Sequence, residues 1–113
     1  MLRHCEKYDI ANNSWKVIAE MQEKRCTTTS IAHANSLYVL GGYHGNGRLK
    51  TIEKYDTKTD HWSVISLKLA VSIEAGLSFV LPNNQVAYVA GKDDGKASNN
   101  ITIYDLDNNT QIS

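Results

Sequence analysis

Apolar positions along the chain come in short bursts separated by polar, turn-forming clusters, with no helical periodicity of useful length. "LYVL" (Leu37 to Leu40) and "AYVA" (Ala87 to Ala90) are apolar at every position, so both faces of each segment need covering. "LKTIEKYD" (Leu49 to Asp56) is patterned as a strand. The pattern predicts strands over Thr27 to Ala34, Leu37 to Tyr43, Thr51 to Asp56 and His61 to Ser66. A second set is predicted over Ala75 to Leu81, Val86 to Gly91, Asn100 to Asp105 and from Thr110 onward. Turns fall at Asn35-Ser36, "TKTD" (Thr57 to Asp60), "PNNQ" (Pro82 to Gln85) and "LDNN" (Leu106 to Asn109). Longer loops are expected over His44 to Lys50 and Lys92 to Asn99.

The two sets are copies of one unit. "CEKYDIANNSWKVI" (Cys5 to Ile18) returns 47 residues later as "IEKYDTKTDHWSVI" (Ile52 to Ile65), sharing Glu-Lys-Tyr-Asp, Trp and Val-Ile. A weaker copy, "ITIYDLDNNTQIS", starts at Ile101, a further 49 residues on. It keeps Tyr104-Asp105 but holds Gln111 where Trp15 and Trp62 stand in the others. Antiparallel strands with two covered faces imply an all-β fold of small four-stranded sheets stacked on one another, as in propeller blades.

Repetition also settles the glycines of "LYVLGGYHGNGRLK". The doublet Gly41-Gly42 becomes Ala90-Gly91 in the next copy, and neither is succeeded by the Lys-Ser/Thr of a phosphate loop. The residues after the loop carry a strand pattern and do not open a helix whose N–H groups could face an anion. Glycine here is expected to serve positive φ or close backbone approach.

Period, order and spacing of Gly-Gly, Tyr-Asp and Trp resemble the kelch repeat, whose unit is about 50 residues. The matching positions are Arg25, Gly41-Gly42, Tyr55-Asp56 and Trp62, with Tyr8, Asp9 and Trp15 from the preceding copy. In its loops the chain resembles the BTB–kelch adaptor type. The expected division is 1–21 as strands three and four of one blade, 22–67 as a complete blade, and 68–113 as a degenerate blade. That is about 2.4 repeats, fewer than the roughly four to eight of a closed propeller, so the chain reads as a piece of a larger propeller or a truncated gene product, ahead of a subunit that completes itself with another chain. Uncovered faces should make it self-associate.

Composition narrows function mainly by exclusion. Twelve acidic residues balance twelve basic ones, which gives no footprint for nucleic acid. No apolar run is long enough for a membrane helix, and the first residues lack a secretory core. A reducing, cytoplasmic setting is the expectation. Cys5 and Cys26 form no metal or redox spacing, and Cys5 aligns with Ile52 and Ile101 as a buried apolar residue. His4, His33, His44 and His61 show no metal spacing, and Asp93-Asp94 reads as a turn pair. Asn12, Asn100 and Asn108, each in Asn-x-Ser/Thr, read as turn residues. No cofactor, metal or catalytic set is expected.

The resemblance implies a non-enzymatic module that binds a protein partner through its loops, with substrate recognition for a cullin-type ubiquitin ligase as one use. A copper-radical oxidase and a binder of actin filaments are the alternatives. The expected partner-binding residues are Arg25, Tyr43, His44, Asn46 and Arg48, with Arg25 matching the position where family members aim an arginine at a partner's carboxylates. As surface residues, Arg25 and Arg48 should each tolerate alanine at a cost of no more than about 1 kcal/mol.

Overall fold

A computed structural model describes residues 2–72, 74–93 and 96–113. Ten strands run in order: β1 (Cys5–Asp9), β2 (Ser14–Ile18), β3 (Thr29–His33), β4 (Ser36–Leu40), β5 (Thr51–Asp56), β6 (His61–Lys68), β7 (Leu77–Val80), β8 (Val86–Asp93), β9 (Lys96–Asp105) and β10 (Thr110–Gln111). Every pairing is antiparallel between sequence neighbours. They form one hairpin, β1-β2, and two four-stranded sheets, β3-β4-β5-β6 and β7-β8-β9-β10. No helix occurs among the described residues. This is the architecture of successive propeller blades.

The repeated turn has a shared physical cause. Asp9, Asp56 and Asp105 end their strands, and each carboxylate accepts hydrogen bonds from amides two or three residues on: Asn12, Lys58 and Asn108 among them. These bonds hold all three carboxyls below the usual aspartate range, led by the Asn12 side chain at Asp9, the Lys58 amide at Asp56 and the Asn108 side chain at Asp105. The turn closes through a left-handed residue each time: Asn13 (φ 46°), Asp60 (φ 51°) and Asn109 (φ 52°). Of the three glycosylation-type asparagines, Asn12 and Asn108 lie in these turns, whereas Asn100 lies inside β9.

Burial follows the stacking of sheets. One cluster joins the complete blade to the last one through Ile31, Tyr38, Leu40 and Ile52 against Val86, Tyr88 and Tyr104. A second joins the β1-β2 hairpin to the complete blade, with Cys5, Ile18 and Met21 packed on Val39, Tyr55 and Trp62. Polar links also cross the first boundary. Thr29 and Ser78 hydroxyls lie 2.7 Å apart, and His33 Nε2 is 2.9 Å from Asp107 Oδ1. "LYVL" is apolar throughout because β4 contributes to both clusters at once: Tyr38 and Leu40 to one, Leu37 and Val39 to the other.

One expected loop is a strand extension. The β8-β9 ladder passes a bulge between Val89 and Gly91 and then resumes with Gly91 opposite Ser98, Lys92 opposite Ala97 and Asp93 opposite Lys96. In the complete blade Gly41 (φ 61°) and Gly42 (φ 100°) both leave the extended region and end β4 at Leu40. With alanine at position 90, only a bulge interrupts the ladder. Of the expected turn pair Asp93-Asp94, Asp93 ends β8 and Asp94 falls outside the described residues.

Candidate functional site

Where β4 ends, the glycines perform a close approach. A Cβ on Gly42 would lie 2.6 Å from the Cys26 carbonyl oxygen and 2.6 Å from Thr28 Cγ2. This room lets Cys26 and Tyr43 exchange both backbone hydrogen bonds, at 3.0 and 2.9 Å, so the chain preceding β3 is pinned to the root of the 41–50 loop. The carbonyls that flank the loop accept from an arginine.

That arginine is Arg25. Its Nη1 donates to the carbonyls of Gly41 (2.8 Å) and Thr51 (3.0 Å), and its Nη2 donates to Thr51 Oγ1 (2.9 Å). Nε and Nη2 both meet Glu53 Oε2, at 3.0 and 2.9 Å. The Glu53 carboxylate also accepts the backbone amides of Gln22 (2.6 Å) and Glu23 (3.2 Å). Arg25 is 4% exposed and Glu53 fully buried. The residue expected to face a partner therefore has its donors directed inward, and it ties the entering chain, the loop root and β5 together. A buried ion pair broken on one side costs about 3–5 kcal/mol, so the tolerance expected of Arg25→Ala does not fit this position.

The other expected residues are spread over the loop. Tyr43 and His44 are half-buried and Asn46 is exposed. The loop is tightened by the Tyr43 hydroxyl donating to the Gly45 carbonyl (2.9 Å) and the His44 amide donating to that of Gly47 (3.1 Å). Arg48 leans the other way, its Nη2 3.2 Å from Glu74 Oε1 in the segment entering the last blade. Arg48 thus braces the loop against the next blade, and of the expected loop residues only Asn46 is exposed.

Glu53, Gln22 and Thr51 were not singled out from sequence, although a signal existed. Glutamate recurs at Glu6 and Glu53, but the third copy has Thr102 there, and that same copy lacks an arginine before its first strand. In this setting either charge alone would be buried and uncompensated. Among the described residues no group of three or more His, Cys, Asp or Glu side chains could hold a metal ion.

Comparison with known proteins agrees with this geometry. The kelch motif matches residues 24–66, the stretch from the Arg25 linker to the end of the complete blade's repeat signature. Residues 24–66 carry a kelch motif. Kelch-like protein 25 of Rattus norvegicus is 40% identical over 60 residues, and Kelch-like protein 7 of Mus musculus 41% identical over 61. These alignments cover 53% and 54% of this chain and 10% of each relative. Kelch repeat-containing protein kel-10 of Caenorhabditis elegans is 29% identical over 103 residues, covering 87% of this chain and 18% of its own length. The chain therefore spans between a tenth and a fifth of the relatives it matches.

Proposed function

We propose that this kelch segment is a protein-interaction module that presents the 41–50 loop to a protein partner and performs no catalysis itself. One observation carries the reading. Tyr43, His44 and Asn46 stand on a loop whose root is held by the buried Arg25–Glu53 pair, so adaptable side chains are displayed from a fixed base. Rigid presentation lowers the ordering cost of binding. Within the proposal, Arg25 and Arg48 are positioning residues, and Tyr43, His44 and Asn46 make contact. Two half-buried, unbridged cysteines suit a reducing, cytoplasmic compartment.

Substrate recognition for a cullin-type ligase is the more specific form of the proposal, supported by resemblance to the kelch-like proteins. A photo-crosslinker at Asn46, compared with one at Lys58 on the opposite end of the sheets, tests the surface. Protein crosslinks from Asn46 are expected, and crosslinks from Lys58 alone overturn the loop reading. Recovery of a cullin with the cell-expressed protein tests the adaptor role; co-sedimentation with actin, or copper-dependent oxidase turnover, would replace it.

A further inference from the structure

Asparagine is a chemically labile side chain, and of this chain's asparagines only Asn46 is followed by glycine. The Asn46-Gly47 pair sits at the tip of the 41–50 loop. The turn there is closed by the Tyr43–Arg48 bridge and by the His44 amide donating to the Gly47 carbonyl at 3.1 Å. Asn46 is exposed, and among the described residues no hydrogen bond holds its side-chain amide or the Gly47 N–H. Several turn asparagines elsewhere are tied down. Asn12 and Asn108 donate their side-chain amides to Asp9 and Asp105, at 2.8 and 2.7 Å, and Asn13 accepts the Tyr8 hydroxyl. Asn35 leads directly into β4, where Ser36 is paired with His33 and Asp56.

Gly47 also leaves the approach to its own nitrogen open. A Cβ at that position would meet a single neighbour, His44 Nε2 at 4.0 Å, whereas one on Gly42 would run into backbone at 2.6 Å. Any other residue after Asn46 would set a side chain beside the attacking amide, and glycine sets none. The imidazole nitrogen beside Gly47 belongs to the side chain that exchanges protons most readily near neutral pH.

We propose that Asn46 is a self-modification site, converted by its own loop to aspartate and isoaspartate. The Gly47 nitrogen attacks Asn46 Cγ and forms the new C–N bond of a cyclic imide. Its N–H proton passes to His44 Nε2, which acts as general base. The Cγ–Nδ2 bond breaks, and the side-chain nitrogen takes a proton back and leaves as ammonia. Water then opens the imide at either carbonyl. Opening at the side-chain carbonyl gives aspartate, and opening at the main-chain carbonyl gives isoaspartate with a longer backbone. Water is consumed and ammonia released, and nothing is oxidised or reduced. The product carries a carboxylate where a neutral amide stood, and the longer backbone breaks the register of the Tyr43–Arg48 turn. The loop thereby changes its surface with age. The chemistry needs no partner and stands apart from the binding role proposed above; only its effect on binding rests on that role.

The test is peptide mapping by mass spectrometry of the full chain aged in warm neutral buffer. It is read on the tryptic fragment from Cys26 to Arg48, in which Asn35 serves as internal control. Asn46 should convert well ahead of Asn35 and give both aspartyl and isoaspartyl products. His44→Gln should slow the conversion by about tenfold or more, the scale of a positioned general base. Gly47→Ala should slow it several-fold, and in urea the native chain should lose its advantage over His44→Gln. Asn46 remaining intact while Asn35 converts overturns the proposal, as do equal folded-state rates in the native chain and in His44→Gln. Aspartate without isoaspartate overturns it as well, because direct hydrolysis of the amide then bypasses the imide.

Discussion

Across the β5-β6 ladder the rings of Tyr55 and Trp62 lie 5.0 Å apart at 38°, and Trp62 is 2% exposed. Tyr8 and Trp15 repeat this pair at 5.2 Å and 44°, yet Trp15 is 68% exposed. Even the polar detail recurs: the Tyr8 hydroxyl donates to Asn13 and the Tyr55 hydroxyl to Asp60. The local pair is the same, and only its neighbours differ. Trp62 lies under the β1-β2 hairpin and donates its indole N–H to the Ala19 carbonyl at 2.8 Å.

Trp62→Ala should therefore destabilise the chain by about 3–5 kcal/mol, as for a large buried aromatic. Trp15→Ala removes only a ring–ring contact and should cost no more than about 1 kcal/mol. Urea denaturation of the two variants checks the contrast. Equal losses would show that the hairpin does not cover the complete blade.

Arg25→Ala leaves Glu53 buried without its cation, and Glu53→Gln leaves Arg25 without its anion. Each should cost about 3–5 kcal/mol. The double replacement Arg25→Met with Glu53→Leu should recover much of that loss, since neither charge then stays buried alone. A double-mutant cycle measures the coupling; independent, additive losses would contradict the pairing.

Gly42→Ala forces a Cβ against the Cys26 carbonyl at a φ of +100° and should cost about 1–3 kcal/mol or more. Gly47→Ala meets only His44 Nε2, at 4.0 Å, and should stay within about 0.5 kcal/mol. Thermal melts of the two variants distinguish the close approach at Gly42 from a general need for glycine in the loop.

Burial, with help from Asp60, pushes the Tyr55 hydroxyl up to about 12, and burial chiefly does the same for Tyr88. Because the folded state favours the neutral phenol, this stabilisation is complete below the unfolded value of about 10 and is lost as pH rises through about 12. On the acid side the turn carboxylates of Asp9, Asp56 and Asp105 are held low by their hydrogen bonds. Their contribution is present above about pH 4 and fades as pH falls below it. Melting temperature against pH should form a plateau that falls at both ends, with tyrosinate absorbance rising alongside alkaline unfolding. Tyrosinate forming fully near pH 10 in the folded chain would contradict the burial of these two rings.

Strands, turns and the repeat were legible in the chain itself, because each rests on local chemistry. Two-faced apolar runs at β4 and β8 called for cover on both sides, and the Asp-ended strands carried their own turn caps. The lost glycine at position 90 was visible too, but its effect on the β8-β9 ladder depends on what the freed backbone finds to pair with. Tertiary structure alone decided that Arg25 turns inward, since its partners Gly41, Thr51 and Glu53 come from distant parts of the chain and converge only when β4 and β5 align. It alone decided that Trp62 is covered and Trp15 is not, because burial belongs to the neighbouring sheet and two near-identical segments cannot record which of them has one.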